Sequence, residues 1–455
     1  MLPKDFIKKA DFYLPTNEHT LFLESLTQNP CISIRKNPFK NISKFDEMPK
    51  VLWENKAHYL PERISFTTDP HFWAGNYYVQ EASSMFVGEI LRQIIDVKKD
   101  LKILDLCAAP GGKSTHILSE INPNSFLISN EIVRNRTQIL NENLSRWGNG
   151  NSIVTSQNAE SIGKWRNLFD IIVLDAPCSG EGMFRKEPNA ISEWSLENVS
   201  LCVQRQQNIV ENILPSLKEG GFLLYSTCTF NTEENEKNIL PYLSKGYESV
   251  RIMIEPHWNI IETETQTHGN TLFAYRFYPH LVRGEGFFIT CLRKTFKENS
   301  QQKPHLKNPN LISLPLKKQD FLKKWFHDIK QFHFFTTQKN EIFALPIAQA
   351  ENMHLWGETF HAWRTGFHVC TRKHEDVEPT PEFAFALCQS KEIPTIDLEE
   401  EIALQFLRKN EIDVPIPSQK GWYLATFQGF GLGWLKALPN RWNNYYPNQW
   451  KIKHL

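Results

Sequence analysis

Between about residues 100 and 295, short apolar runs alternate with longer stretches in which apolar residues recur every three or four positions. Ile103 to Leu106, Phe126 to Ser129, Ile153 to Thr155, Ile171 to Leu174 and Phe222 to Ser226 read as strands buried on both faces. Val133 to Trp147 and Val199 to Lys218 read as helices between them, the second stopped by Gly220-Gly221. Thr271 to Tyr278 and Gly286 to Leu292, separated by a turn containing Gly284, read as an antiparallel hairpin that closes the sheet. The alternation predicts an α/β fold with a doubly wound, Rossmann-like sheet.

The flanks follow other rules. Helical spacing over Asp5 to Leu14 and Glu18 to Leu26, with an extended run Cys31 to Pro38, predicts an α+β support domain over residues 1–75. A helical pattern from Val79 to Val97 opens the central domain, 76–295. Residues 296–318 are a basic linker: from Arg293 to Lys324 nine Lys or Arg stand against two acids, interrupted by Pro304, Pro309 and Pro315. The rest, 319–455, mixes a helix-like Gln319 to Ile329, strand-like Glu341 to Leu345, an amphipathic Asp397 to Leu407 and the aromatic runs Trp422 to Phe427, Gly429 to Trp434 and Arg441 to Tyr446. That pattern predicts a small β-rich C-terminal region, its aromatics serving either as core or as stacking surfaces for unpaired bases. The glutamate-rich Thr232 to Gln266 reads as a solvent face, and Arg35, Lys36, Lys40, Arg185 and Lys186 are candidates for phosphate contacts.

Charge changes the picture little: 51 basic residues balance 51 acidic ones, so a nucleic-acid partner must meet local basic surface. Eight cysteines at no zinc or Cys-x-x-Cys spacing argue against a metal or a disulfide scaffold. Neither a signal peptide's apolar core nor an apolar run of roughly 18 residues is visible. The expectation is a reduced, cytoplasmic, monomeric protein with no metal and no membrane partner.

The chemistry collects at the ends of the predicted strands. Asp105-Leu-Cys-Ala-Ala-Pro-Gly-Gly-Lys113 feeds small residues and two glycines into a helix start, which lets backbone amides approach a ligand closely. Gly112-Lys113-Ser114 looks like the end of a nucleotide-triphosphate loop, but its first glycine would fall at Cys107, so that reading fails. Glu131, ending the second strand, is placed to accept from ribose hydroxyls, and Asn158, just past the third, to accept from an adenine amino group. Ile171 to Leu174 ends in Asp175-Ala-Pro-Cys178-Ser-Gly180, an acid and a thiol delivered to the sheet edge.

Together Asp105 to Lys113, Asp175 to Gly180 and Ser226-Thr-Cys-Thr229 resemble the motifs of the RNA 5-methylcytosine methyltransferases of the Nol/Nop/Sun family. Ile34-Arg35 with Asn37 and Lys40, and Gly75 to Ser83, resemble that family's segments preceding the catalytic domain, so the similarity runs from about residue 30 to 295. The tail, with Leu432 to Lys436 and Asn443 to Pro447, is similar to the PUA-like RNA-binding end of the family's bacterial 16S ribosomal RNA methylases. The resemblance implies a class I methyltransferase sheet, S-adenosylmethionine as cofactor, and ribosomal RNA or the small-subunit particle as partner. It implies cofactor contacts at Cys107, Ala108, Ala109, Pro110, Gly111, Gly112, Lys113, Glu131, Asn158 and Asp175. The family usually carries Asp at the position of Asn158, whose amide accepts a weaker hydrogen bond.

Carbon 5 of cytosine is a poor nucleophile until a thiolate adds to carbon 6. Two thiols compete for that role. Pro177-Cys178 matches the dipeptide used by DNA cytosine methylases, whereas the resembled RNA family uses the cysteine after the next strand, Cys228. Cys228 is expected to attack, Cys178 to assist proton removal or product release, and Asp175 to hold the ring nitrogen and amino edge. Two alternatives stay open: a transfer RNA substrate, and a ribosome-assembly factor whose cofactor site is weakened by Asn158.

Overall fold

The computed structural model describes residues 2–453 except 11–12, 15, 97, 268, 298–310, 351–361 and 374–375, so most of the expected basic linker lies outside the described residues. The central sheet comprises β1 (Lys102–Asp105), β2 (Phe126–Asn130), β3 (Ser152–Thr155), β4 (Phe169–Asp175), β5 (Leu217–Thr227), β6 (Tyr247–Ser249), β7 (Ile261–Thr267), β8 (Asn270–Phe277), β9 (Phe287–Lys294) and β10 (Ala362–Thr365). Their order is β7-β8-β9-β5-β4-β1-β2-β3-β10, with β6 paired to β9. β1 to β5 are parallel, and β9 runs antiparallel to β5. This is the class I methyltransferase sheet.

Alternate residues of each strand enter opposite cores, which is why the strands are apolar throughout. Ile103, Leu127, Val173 and Leu224 pack on one face with Ile117 of α1 (Gly112–Glu120) and Leu140 of α2 (Arg134–Trp147). Leu104, Ile128, Ile172 and Leu223 pack on the other, beside α3 (Ala159–Gly163) and Val210 of α4 (Leu196–Ile213). α5 (Glu236–Leu243) completes that layer through Ile239.

Several elements differ from the sequence pattern. α4 ends at Ile213, because Pro215 in the following turn cannot continue a helix; β5 begins at Leu217 and contains both Gly220 and Gly221. Tyr77–Val79 forms a strand against Ile32–Lys36, and the helix opening the central domain starts only at Phe86. Gln319 to Ile329 is not a helix: Leu322, Trp325 and Phe326 are buried from short turns, held by packing rather than by a helical ladder. The glutamate-rich stretch is only partly a solvent face, since it supplies β7 and buries Glu234 and Glu236. The C-terminal region makes two small sheets over one shared core, and its β10 extends the central sheet by pairing with β3.

The basic residues assigned to phosphates in the N-terminal domain are structural. Arg35 is buried, donating to Gln80 Oε1 at 2.9 Å and Thr115 Oγ1 at 2.7 Å while stacking on Trp147. Lys40 donates to the carbonyls of Ala74 and Arg146, and Lys36 pairs with Asp46. The Arg146 guanidinium lies over Trp73 and Trp450, so one cation ties all three regions together.

Among the described residues, Glu54, His116 and Glu120 bring potential metal-ligand atoms within 4.8 Å of one another. Arg92 Nη1 donates to Glu54 at 2.9 Å and Glu120 at 2.8 Å, so a guanidinium already supplies the positive charge. Burial pushes the Glu54 carboxyl up, but His116 and Arg92 outweigh it and hold it well below the usual carboxylate range. Glu54→Gln should therefore cost about 3 kcal/mol in urea unfolding at pH 7 by leaving Arg92 short of a partner. Because the folded pKa is depressed, that difference persists down to about pH 4.3, the unfolded value, and shrinks below it.

Candidate active site

The parallel register places Asp105, Asp175 and Ser226 at the same end of neighbouring strands: Asp105 lies opposite Val173, and Asp175 opposite Ser226. Each strand then releases a loop into one cleft. From β1, the loop 107–113 is pinned by its backbone: Ala108 N donates to Asn130 O at 2.8 Å, while the carbonyls of Ala109 and Pro110 accept from Arg136 and Asn143, each at 2.8 Å. Gly111 has φ +114°, a left-handed conformation that admits glycine, and it hands the chain to α1 without a side-chain cap. The first turn of α1 is thus left with uncapped donors.

Two buried carboxylates border this loop with unmet capacity. Asp105 Oδ2 accepts from Ser114 Oγ at 2.6 Å, but its Oδ1 has no hydrogen-bond partner. Burial raises the Asp105 carboxyl to about 7. Glu131 Oε1 accepts from Val133 N, whereas Oε2 lacks a hydrogen-bond partner, with Arg136 Nη1 at 3.4 Å. Asn158 uses its side-chain oxygen as the N-cap of α3, accepting from Ser161 N at 2.8 Å. An amide oxygen keeps a second lone pair, so capping leaves one acceptor position.

The second half of the cleft lies between β4 and β5. Asp175 Oδ1 accepts from Ser226 Oγ at 2.9 Å, and Oδ2 pairs with Lys113 Nζ at 2.8 Å. The sequence assigned Lys113 to the cofactor loop alone; the structure also turns its ammonium into the cleft, over Phe287 and within electrostatic reach of Cys228. Burial lowers its pKa, but Asp175 outweighs that and keeps Lys113 above the usual lysine value, hence charged. Only the spacing of the loop foreshadowed this, and spacing does not fix which way a lysine turns.

Cys178 and Cys228 face each other with Sγ atoms 3.2 Å apart. The hydrogen bond to Cys228, burial, and the charges of Cys228 and Glu234 hold the Cys178 thiol well above the ordinary range, so Cys178 keeps its proton. Cys107 is also pushed up, by burial and by Asp175, Glu131 and Asp105. Arg185 is not free for phosphate: it pairs with Glu285 at 2.6 Å and donates to Gly284 O.

Family models match along the chain: the 16S rRNA methyltransferase RsmB/F model over 92–293, the N-terminal domain of 16S rRNA methyltransferase RsmF over 2–82, and the methyltransferase RsmF PUA domain over 393–452. Ribosomal RNA small subunit methyltransferase F of Aliivibrio fischeri (strain ATCC 700601 / ES114) is 30% identical over 443 residues, covering 92% of this chain and 90% of that protein. This chain belongs to the RsmF family. The protein of the same name from Salmonella agona is 28% identical over 393 residues, 83% of this chain and 78% of the relative. Among solved structures, a methyltransferase homolog protein from Pyrococcus horikoshii superposes with a TM-score of 0.54 at 29% identity, covering 64% of this chain and 95% of that one. NSun6 from the same organism, solved with SFG, shares the fold at TM-score 0.54 and 21% identity, over 65% of this chain and 99% of that one.

As a member of the RsmF family the protein is an S-adenosylmethionine-dependent methyltransferase. The residues fit that cofactor: Asp105 Oδ1, buried without a hydrogen-bond partner, suits an ammonium, and Glu131 Oε2, also without a hydrogen-bond partner, suits a ribose hydroxyl. Asp105 was not among the cofactor residues named from sequence, although an acid ending the first strand was the available signal. Since the Asp105 carboxyl ionises near pH 7, affinity for S-adenosylhomocysteine should fall several-fold between pH 7.5 and 6 as the carboxylate takes up a proton. Calorimetry on Asp105→Asn should show weaker binding with that dependence flattened.

Proposed function

We propose that this protein methylates carbon 5 of a cytosine in 16S ribosomal RNA, with Cys228 as the covalent nucleophile. The observation that carries the reading is the pairing of two unequal thiols 3.2 Å apart beside a charged lysine and a carboxylate. When bound, S-adenosylmethionine supplies an electrophilic methyl group. Its methionine and ribose ends would be held by Asp105, the 107–113 loop and Glu131, with the remaining lone pair of Asn158 on the adenine side. The work stays in the cytoplasm, where ribosomal RNA is found.

The residues divide the steps. Lys113, kept charged by Asp175, brings a positive charge to the side of the cleft where Cys228 stands. Asp175, oriented by Ser226 and Lys113, grips the ring nitrogen and amino edge of the base and stabilises protonation there as the Cys228 sulfur bonds to carbon 6. After carbon 5 is methylated, its proton and the proton held on the ring nitrogen pass to water, the ring double bond re-forms, and the carbon 6–sulfur bond breaks with its electron pair returning to Cys228. Cys178, which keeps its proton, donates a hydrogen bond to the departing sulfur.

On RNA substrate, Cys178→Ala should accumulate a covalent protein–RNA adduct resistant to denaturing electrophoresis, and Cys228→Ala should form none. An adduct in Cys228→Ala would reverse the assignment. Bisulfite mapping of total RNA should show one or a few 16S cytosines that lose methylation when this protein is removed. Loss confined to transfer RNA would replace the substrate, and retained cofactor binding with no methylation of any RNA would favour an assembly factor.

A further inference from the structure

Behind the two thiols lies a carboxylate that the reaction does not touch. Glu234 is fully buried. Its Oε2 accepts from Ser179 N and Gln206 Nε2, both at 2.9 Å, and its Oε1 accepts from Ser179 Oγ at 2.5 Å and Asn231 Nδ2 at 2.7 Å. Gln206 Nε2 also donates to Pro177 O, and Asn231 Nδ2 to Thr229 Oγ1. Both neighbours of Cys178 are therefore tethered through one side chain to the loop that follows Cys228. All four partners are donors and none is a cation. An amide would turn an NH2 toward two of them, so the hub requires a carboxylate, and the carboxylate brings an uncompensated buried charge.

The carboxylate that fastens the two loops also places a negative charge behind Cys178. We infer that Glu234 is the positioning residue that assigns the two thiols their roles, holding Cys178 against Cys228 and, through its negative charge, keeping the proton on Cys178. Cys178 then remains the hydrogen-bond donor to the sulfur that leaves carbon 6, and Cys228 remains the thiol that attacks. The direction agrees with the Cys178 thiol, held in its protonated form by the hydrogen bond to Cys228, by burial, and by the charges of Cys228 and Glu234. This rests on the proposed assignment of Cys228 as nucleophile.

The test compares Glu234→Gln, Glu234→Asp and Cys178→Ala on one denaturing gel with RNA and cofactor, alongside single-turnover and steady-state methylation. Glu234→Gln should accumulate the covalent adduct, lose at least tenfold in steady-state turnover on the order of a lost catalytic hydrogen bond, and keep S-adenosylhomocysteine affinity. Glu234→Asp, which retains the charge, should accumulate clearly less. Equal accumulation in the two variants, normal release in Glu234→Gln, or loss of turnover without adduct would overturn the inference. If Cys178→Ala itself shows no adduct, the release role proposed for Cys178 fails; if Cys228→Ala forms one, the nucleophile assignment fails; if Cys178→Ala accumulates adduct and Glu234→Gln does not, the inference alone fails. Should Glu234→Gln not fold, Glu234→Asp decides: adduct accumulation between that of the unaltered protein and that of Cys178→Ala supports the inference, and none, or as much as in Cys178→Ala, overturns it.

Discussion

The site depends on the parallel pairing of β4 with β5 in a single register. Because Asp175 stands opposite Ser226, the loop carrying Cys178 and the loop carrying Cys228 leave the sheet side by side. A slip of one residue would turn the side chains of one strand to the other face and separate the acid from its serine. The register is held by apolar residues on both faces, Ile172 and Leu223 in one core and Val173 and Leu224 in the other. Beyond the strand ends, where no ladder remains, Glu234 and Glu181 take over: Glu181 accepts from the backbone of Phe230 and Asn231, joining the same two loops.

The surrounding regions act on this core through buried cations. Arg35, from the N-terminal domain, braces the start of α1 through Thr115 and Gly112, so the cofactor helix is set partly by a residue outside the sheet. Arg146 and Lys40 close the junction with the C-terminal region, whose β10 lengthens the same sheet. Desolvation makes such cations costly unless carbonyls, rings or carboxylates receive them, and here each is received.

Apolar period made the strands legible, and the ends of those strands named Asp175, Cys178 and the 107–113 loop before any geometry was known, while the family resemblance named Cys228. What the pattern hid was direction and burial. A lysine in a glycine loop gives no sign that it will turn toward Asp175, and a basic residue such as Arg35 or Arg185 looks like a phosphate ligand until its carboxylate, ring and carbonyl partners appear. Glu234 sat in a stretch that composition marks as solvent-facing, because composition does not record that Ser179 and Gln206 converge on it from distant segments, beside Asn231 of its own loop. Gln319 to Ile329 was misread for a related reason, since its apolar spacing fits a helix but its packing is satisfied by turns.

The account stands on which sulfur meets the base. Mass spectrometry of the adduct formed with RNA carrying 5-fluorocytosine, which has no carbon 5 proton to lose and so cannot be released, reads this directly in the unaltered protein. The account predicts the nucleotide on the peptide containing Cys228, with Cys178 unmodified. A nucleotide attached to Cys178 would contradict it.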